Sequence, residues 1–151
     1  MITDITRALL SLFYIGDIKF APGTIASLVT LVVWYFIPNI YYIQIIILIL
    51  SLILSFYLCY DFSKNNDEKD PPYIVLDEFI GMSISLFMVP KLLSYYLVCF
   101  ILFRFFDILK PSFIYYSQDF EMGVGIVLDD ILSGLLTLII IGGYIYLWML
   151  Q

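Results

Sequence analysis

Five apolar runs constrain this chain more than any single motif. They cover roughly residues 25 to 37, 40 to 60, 79 to 90, 92 to 106 and 126 to 150, with breaks at Pro38-Asn39, a polar loop at 61 to 72, Pro90-Lys91 and the segment 107 to 125. A bilayer core about 30 Å thick takes about 20 apolar residues as a helix, which satisfies its own backbone hydrogen bonds. The second and fifth runs meet that length; the others are short or must extend past their flanking charges, the third through Tyr73 to Leu76 and the fourth through Ile108 and Leu109. With 63% of residues hydrophobic, 13% charged and a mean hydropathy of +1.03, the composition lies outside that of soluble domains. The expected fold is therefore all-α, a polytopic integral membrane helical bundle of about five helices forming one domain over residues 1–151.

Residues 8 to 15 are a further apolar piece, too short to span, and read as an amphipathic or re-entrant segment leading into "GDIKFAPGT". No small-residue cleavage site follows it, so the N-terminus is expected to stay in the mature fold rather than leave as a signal peptide. With five crossings, Arg7, Lys19, Lys64, Lys69, Arg104 and Lys110 share one side and Lys91 alone marks the other. That asymmetry predicts a cytoplasmic face for the charged loops and an external C-terminus.

Composition also removes function classes. A net charge of -6 without a basic patch argues against nucleic-acid binding. Cys59 and Cys99 sit in apolar runs and read as small buried hydrophobes, not as a disulfide or metal pair. Histidine is absent, which excludes Ser/His and Cys/His catalysis, His-ligated zinc and a phosphohistidine. Any catalysis falls to carboxylates.

Two such groups stand out, "IVLDE" at 74–78 and "IVLDD" at 126–130. Acids at a helix N-terminus cap free N–H groups and favour the dipole, worth about 1 kcal/mol. One acid suffices for that, and a charged acid near the bilayer core costs about 2.5 to 3.5 kcal/mol. Adjacent like charges add repulsion, so a compensating cation is expected at Asp77, Glu78, Asp129 and Asp130. Mg²⁺ suits them as a hard ion that prefers carboxylate oxygens; an ion or proton pathway is the competing use of such acids.

In "FRFFDILKP", Arg104, Asp107 and Lys110 recur at three-residue steps, so a helix places them near one another before Pro111 ends it. They read either as a snorkelling helix end with an internal ion pair or as a phosphate clamp, with Asp107 as metal ligand or orienting base. "FAPGTIASL" places Gly23 and Thr24, the latter an expected N-cap, where backbone N–H groups can meet an anion, and "MGVGIVLDD" places Gly123 and Gly125 before the second acidic pair, where backbone can approach a ligand closely.

Taken in order, "APGTIASL", "KDPPYIVLDEFIGM", "FRFFDILKP" and "GVGIVLDDILSG" resemble the phosphatidylglycerophosphatase A family of bacterial membrane lipid phosphatases over roughly residues 16 to 140. The resemblance matches Gly16, Gly23, Thr24, Asp70, Asp77, Glu78, Gly81, Arg104, Asp107, Lys110, Gly123, Gly125, Asp129, Asp130 and Gly134. It departs at Ala26, at "KPSF" and at Met122, changes that leave every carboxylate and cation in place. It implies Mg²⁺-dependent removal of the terminal phosphate of phosphatidylglycerophosphate to give phosphatidylglycerol, in phospholipid biosynthesis at the cytoplasmic face of the bacterial inner membrane. On that basis Asp77, Glu78, Asp107, Asp129 and Asp130 are the expected catalytic and metal-holding set. Arg104, Lys110, Thr24, Gly23, Gly123 and Gly125 are the expected phosphate site. A metal-activated water is the expected nucleophile, with an aspartyl-phosphate at Asp107 or Asp129 as the alternative. A membrane ion or proton transporter, and a Mg²⁺-dependent headgroup transferase whose own motif is missing here, are the rival functions. The residues carry no reading of oligomeric state.

Overall fold

A computed structural model describes residues 4–66, 71–117, 120 and 123–150. The elements are α1 (Asp4–Leu10), a 3-10 turn (Ile15–Asp17), α2 (Pro22–Phe36), α3 (Tyr41–Asn65), α4 (Leu76–Ser85), α5 (Leu93–Leu109), α6 (Ser112–Ser117) and α7 (Val124–Met149). The described residues contain no strand. Each of the five apolar runs becomes a helix; α1 is a short addition at the N-terminus that takes in only the start of the 8 to 15 segment, and α6 is one in the break at 107 to 125. Asp70, Lys69 and Met122 lie outside the described residues.

α3 and α7, with 25 and 26 residues, are long and apolar enough to cross a membrane. At 1.5 Å per residue each reaches about 37–39 Å. Ile46, Ile49, Leu50 and Ile53 on α3, and Ile139, Tyr146 and Leu147 on α7, are exposed. α2 and α5 are shorter, at 15 and 17 residues.

α4 departs from expectation. Its helix begins at Leu76 and stops at Ser85, so the third run is neither extended backward through Tyr73 nor continuous to residue 90. Residues before it are pinned by a tertiary contact instead: the Val75 N–H donates to the Leu10 carbonyl at 3.0 Å. Beyond it, Met88 takes a left-handed φ of 57° and its N–H donates to Gln44 Oε1 at 3.0 Å. Eight of its residues, from Leu76 through Ser85, are buried, so α4 is the central helix of the bundle. Its hydroxyls are satisfied locally: Ser83 and Ser85 donate to the Phe79 and Gly81 carbonyls, and Ser83 Oγ accepts from Trp34 Nε1 at 2.6 Å.

α4 packs most extensively on α7, and glycine makes the crossing close. A methyl on Gly134 would strike the Gly81 carbonyl, and one on Gly81 would meet the Phe103 ring at 2.5 Å and the Asp130 carbonyl oxygen at 2.6 Å. Small residues admit such backbone approach between apolar helices. Gly134→Ala is therefore expected to destabilise the protein by about 1–3 kcal/mol, an overpacking cost. Thermal unfolding in detergent checks it, and an unchanged midpoint would remove this crossing from the account.

Candidate active site

The α4–α7 crossing brings the two acidic pairs together, although they sit differently on their helices. Asp77 and Glu78 occupy the first turn of α4, where Asp77 Oδ1 accepts from the Glu78 N–H at 3.0 Å. Asp129 and Asp130 lie in the second turn of α7, beyond the N–H groups that a helix start leaves free. Capping cannot explain them. Asp77, Asp129 and Asp130 are 6%, 4% and 3% exposed, which makes an uncompensated negative charge at each of them expensive.

Ligand oxygens of Asp77, Glu78 and Asp130 lie within 4.8 Å of one another. Asp107 and Asp129 are further acidic neighbours of Asp130. The other two carboxylates face cations. Lys110 Nζ donates to Asp129 Oδ2 at 2.5 Å, and Arg104 Nη1 lies 2.5 Å from Asp107 Oδ2 as a charge contact without hydrogen-bond geometry. Lys110 ends α5 in a left-handed conformation, φ 43°, that carries its side chain back over the site. Burial pulls its ammonium down, but the hydrogen bond and charge of Asp129 outweigh this and hold it above the ordinary lysine value.

All seven groups line one cavity of about 430 Å³, together with the first turn of α2 and Pro72, Ile74 and Ile108. α2 begins at Pro22 after a left-handed Ala21, so Thr24 lies inside its first turn rather than capping it. Gly23 and Thr24 nonetheless reach the cavity. Gly23 has a specific reason to be glycine: a methyl there would overlap the Glu78 carboxylate and lie 3.3 Å from Arg104 Nη1. Gly123 and Gly125, expected at the phosphate, are not among the lining residues. Gly123 precedes the first residue of α7 at φ 74°, where an added methyl would strike the Cys59 carbonyl of α3, and Gly125 is buried in α7. Ile108, expected only as an extension of the fourth apolar run, and Pro72 also line the cavity, and neither differs in type from its apolar or loop neighbours.

The donor set fits a hard divalent cation. The cavity is lined by five carboxylic side chains against two cationic ones, an excess of three acids. Glu78 Oε2 and Asp130 Oδ1, both in the close trio, are buried without a hydrogen-bond partner, as is Arg104 Nε. Buried carboxylate oxygens are costly in that condition, and a cation ligated by oxygen satisfies them.

The fold and cavity define a class: an apolar helical protein whose carboxylates stand beside an arginine and a lysine, as phosphate-ester chemistry requires. The family model for phosphatidylglycerophosphatase A matches residues 8–145. The chain is 37% identical to phosphatidylglycerophosphatase A of Haemophilus influenzae over 139 residues, 89% of this chain and 85% of that protein. It is 33% identical to phosphatidylglycerophosphatase A of Escherichia coli K12 over 121 residues, 77% of this chain and 69% of that one. A Bacteroides thetaiotaomicron protein whose name proposes a phosphatidylinositol-3-phosphatase is 32% identical over 136 residues, 83% of this chain and 84% of that protein. No solved structure matches the chain. The chain belongs to the phosphatidylglycerophosphatase A family and is a phosphatase.

Proposed function

We propose that the protein hydrolyses the terminal phosphate of phosphatidylglycerophosphate to give phosphatidylglycerol, as a multi-pass protein of a bacterial cytoplasmic membrane. Mg²⁺ would be held by Asp77, Glu78 and Asp130, beside Asp107 and Asp129. The observation that carries this reading is the close trio with its two partnerless carboxylate oxygens, set in one cavity with Arg104 and Lys110. A bound Mg²⁺ supplies charge neutralisation at phosphate and lowers the pKa of water.

The chain's own residues do the rest. Arg104 Nε, buried and without a partner, is a donor available to a phosphate oxygen, and Asp107 holds the guanidinium in place. Lys110 adds a second positive charge, positioned by Asp129. The N–H groups of the first α2 turn lie on the same wall and favour an anion. Preorganised donors of this kind stabilise charge developing on transferred phosphoryl oxygens.

Topology follows from the same end of the bundle. Arg104 and Lys110 stand at the cavity, whereas Lys91 Nζ donates to the Tyr35 carbonyl near the far end of α2. This charge asymmetry supports a cytoplasmic cavity. The test is purified protein given phosphatidylglycerophosphate with Mg²⁺ or with chelator, alongside phosphatidylinositol 3-phosphate. Phosphate release from the first lipid in Mg²⁺ and none in chelator is expected; release unaffected by chelator would sink the metal assignment.

A further inference from the structure

The cavity is amphipathic in an ordered way. Its charged lining residues are all buried or half-buried, whereas its exposed lining residues, Ala21, Pro72 and Ile108, are all apolar. Charge occupies the floor and hydrocarbon the rim. At about 430 Å³ the space suits a phosphorylated glycerol head but not two long acyl chains as well. The rest of a phospholipid must leave across the rim.

Ile108 shows where. It is 67% exposed and begins a line along α5 that continues through Phe105, Ile101 and Leu97, all exposed. Steps of three and four residues put these side chains on one helix face. The line runs from the cavity toward the far end of the helix, because α5 delivers Arg104, Asp107 and Lys110 to the cavity with its C-terminal turns. Exposed apolar residues are numerous on this protein, but Ile108 is the large one that is both exposed and part of the cavity wall.

We propose that Ile108, Ile101 and Leu97 form the acyl-chain subsite of this phosphatase, a track on α5 that holds one chain of the phospholipid substrate while its phosphate sits on the cavity floor. The subsite rests on the phospholipid phosphatase reading, and it names residues that determine specificity without touching the reacting atoms. Because the surrounding lipid is itself apolar, a chain laid on the track gains by packing against these side chains rather than by leaving water. Preference for long-chain substrate is then a property of α5.

The experiment compares kcat/KM for dioleoyl and dihexanoyl phosphatidylglycerophosphate, both in the same detergent micelles. Ile108→Asn is expected to lower the long-to-short ratio about tenfold, the readout being the ratio rather than either rate alone. Ile101→Asn should act in the same direction, and Ile53→Asn on the exposed face of α3 should leave the ratio unchanged. A parent enzyme without chain-length preference, an unchanged ratio in Ile108→Asn, or an equal effect of Ile53→Asn would overturn the track. Should Ile108→Asn fail to fold, Ile108→Ala and a photoreactive group at the end of a long acyl chain decide instead. Capture on residues 97–108 supports the subsite, and capture spread equally over α3 removes it. A parent inactive on both lipids would instead defeat the functional reading itself, so the two failures are separable.

Discussion

Asp130→Asn is expected to lower kcat by on the order of 10²–10³-fold, the scale on which a preorganised charge-stabilising group contributes to turnover. The same change should not weaken the metal-free protein. Asp130 Oδ1 is buried without a partner, and its acidic neighbours are Asp77, Glu78, Asp107 and Asp129, so the parent carries an acidic cluster that the amide relieves. Activity and stability should therefore part company, as they do where a site is built from mutually unfavourable groups. Thermal unfolding in detergent with chelator should show the variant melting no lower than the parent. With Mg²⁺ a hundredfold above its dissociation constant, the parent should gain about 2.7 kcal/mol and the variant much less. A variant that responds to Mg²⁺ as the parent does would place the ion elsewhere.

How much of this was readable from the residues depends on which helix is considered. The run at 40–60 became α3 and the run at 126–150 became α7 with small shifts, because both are long, apolar and bounded by proline or glycine. α4 was not readable. The apolar run that starts at residue 79 announces burial or lipid alike, and what stops the helix at Ser85 includes the reach of Gln44 to the Met88 N–H from α3, a tertiary event. Thr24 misled for a related reason: the cap of α2 is a left-handed Ala21, a conformation that its residue type does not advertise.

The acidic pairs show the same division. Their cost in an apolar chain made the cluster legible, and "IVLDE" and "IVLDD" look equivalent on the page. The helices make them unequal, since Asp77 and Glu78 enter the trio together while Asp129 turns to Lys110 and Asp130 alone joins. Adjacent helix positions point about 100° apart, so two neighbours face one ion only where the helix start or the crossing angle allows it. The glycines carried a signal of a different kind. Gly123 looked like a ligand loop and is a helix start, whereas Gly23, expected at the phosphate, does line the cavity and abuts Glu78 and Arg104.

Gly23→Ala should be among the most damaging single methyl additions in the protein. The added carbon would overlap the Glu78 carboxylate and crowd Arg104 Nη1, so a proposed metal ligand and a proposed phosphate donor move together. Both contacts are at the far ends of flexible side chains, so these groups can give way to the methyl, and what they lose is their placement in the site. Misplacement of about 1 Å at a reacting centre costs on the order of 10²-fold, and that loss in kcat/KM is expected here with little change in the unfolding midpoint, because the methyl faces a cavity rather than packed core. A double variant separates this cause from damage to α2. Glu78→Asp withdraws the carboxylate by one methylene and should itself cost activity, but in combination with Gly23→Ala the two losses should fall well short of additive, because the shortened side chain no longer meets the methyl. Strict additivity in kcat/KM would mean that Gly23 serves the helix start alone, and the contact between the first turn of α2 and the acidic cluster would lose its functional meaning.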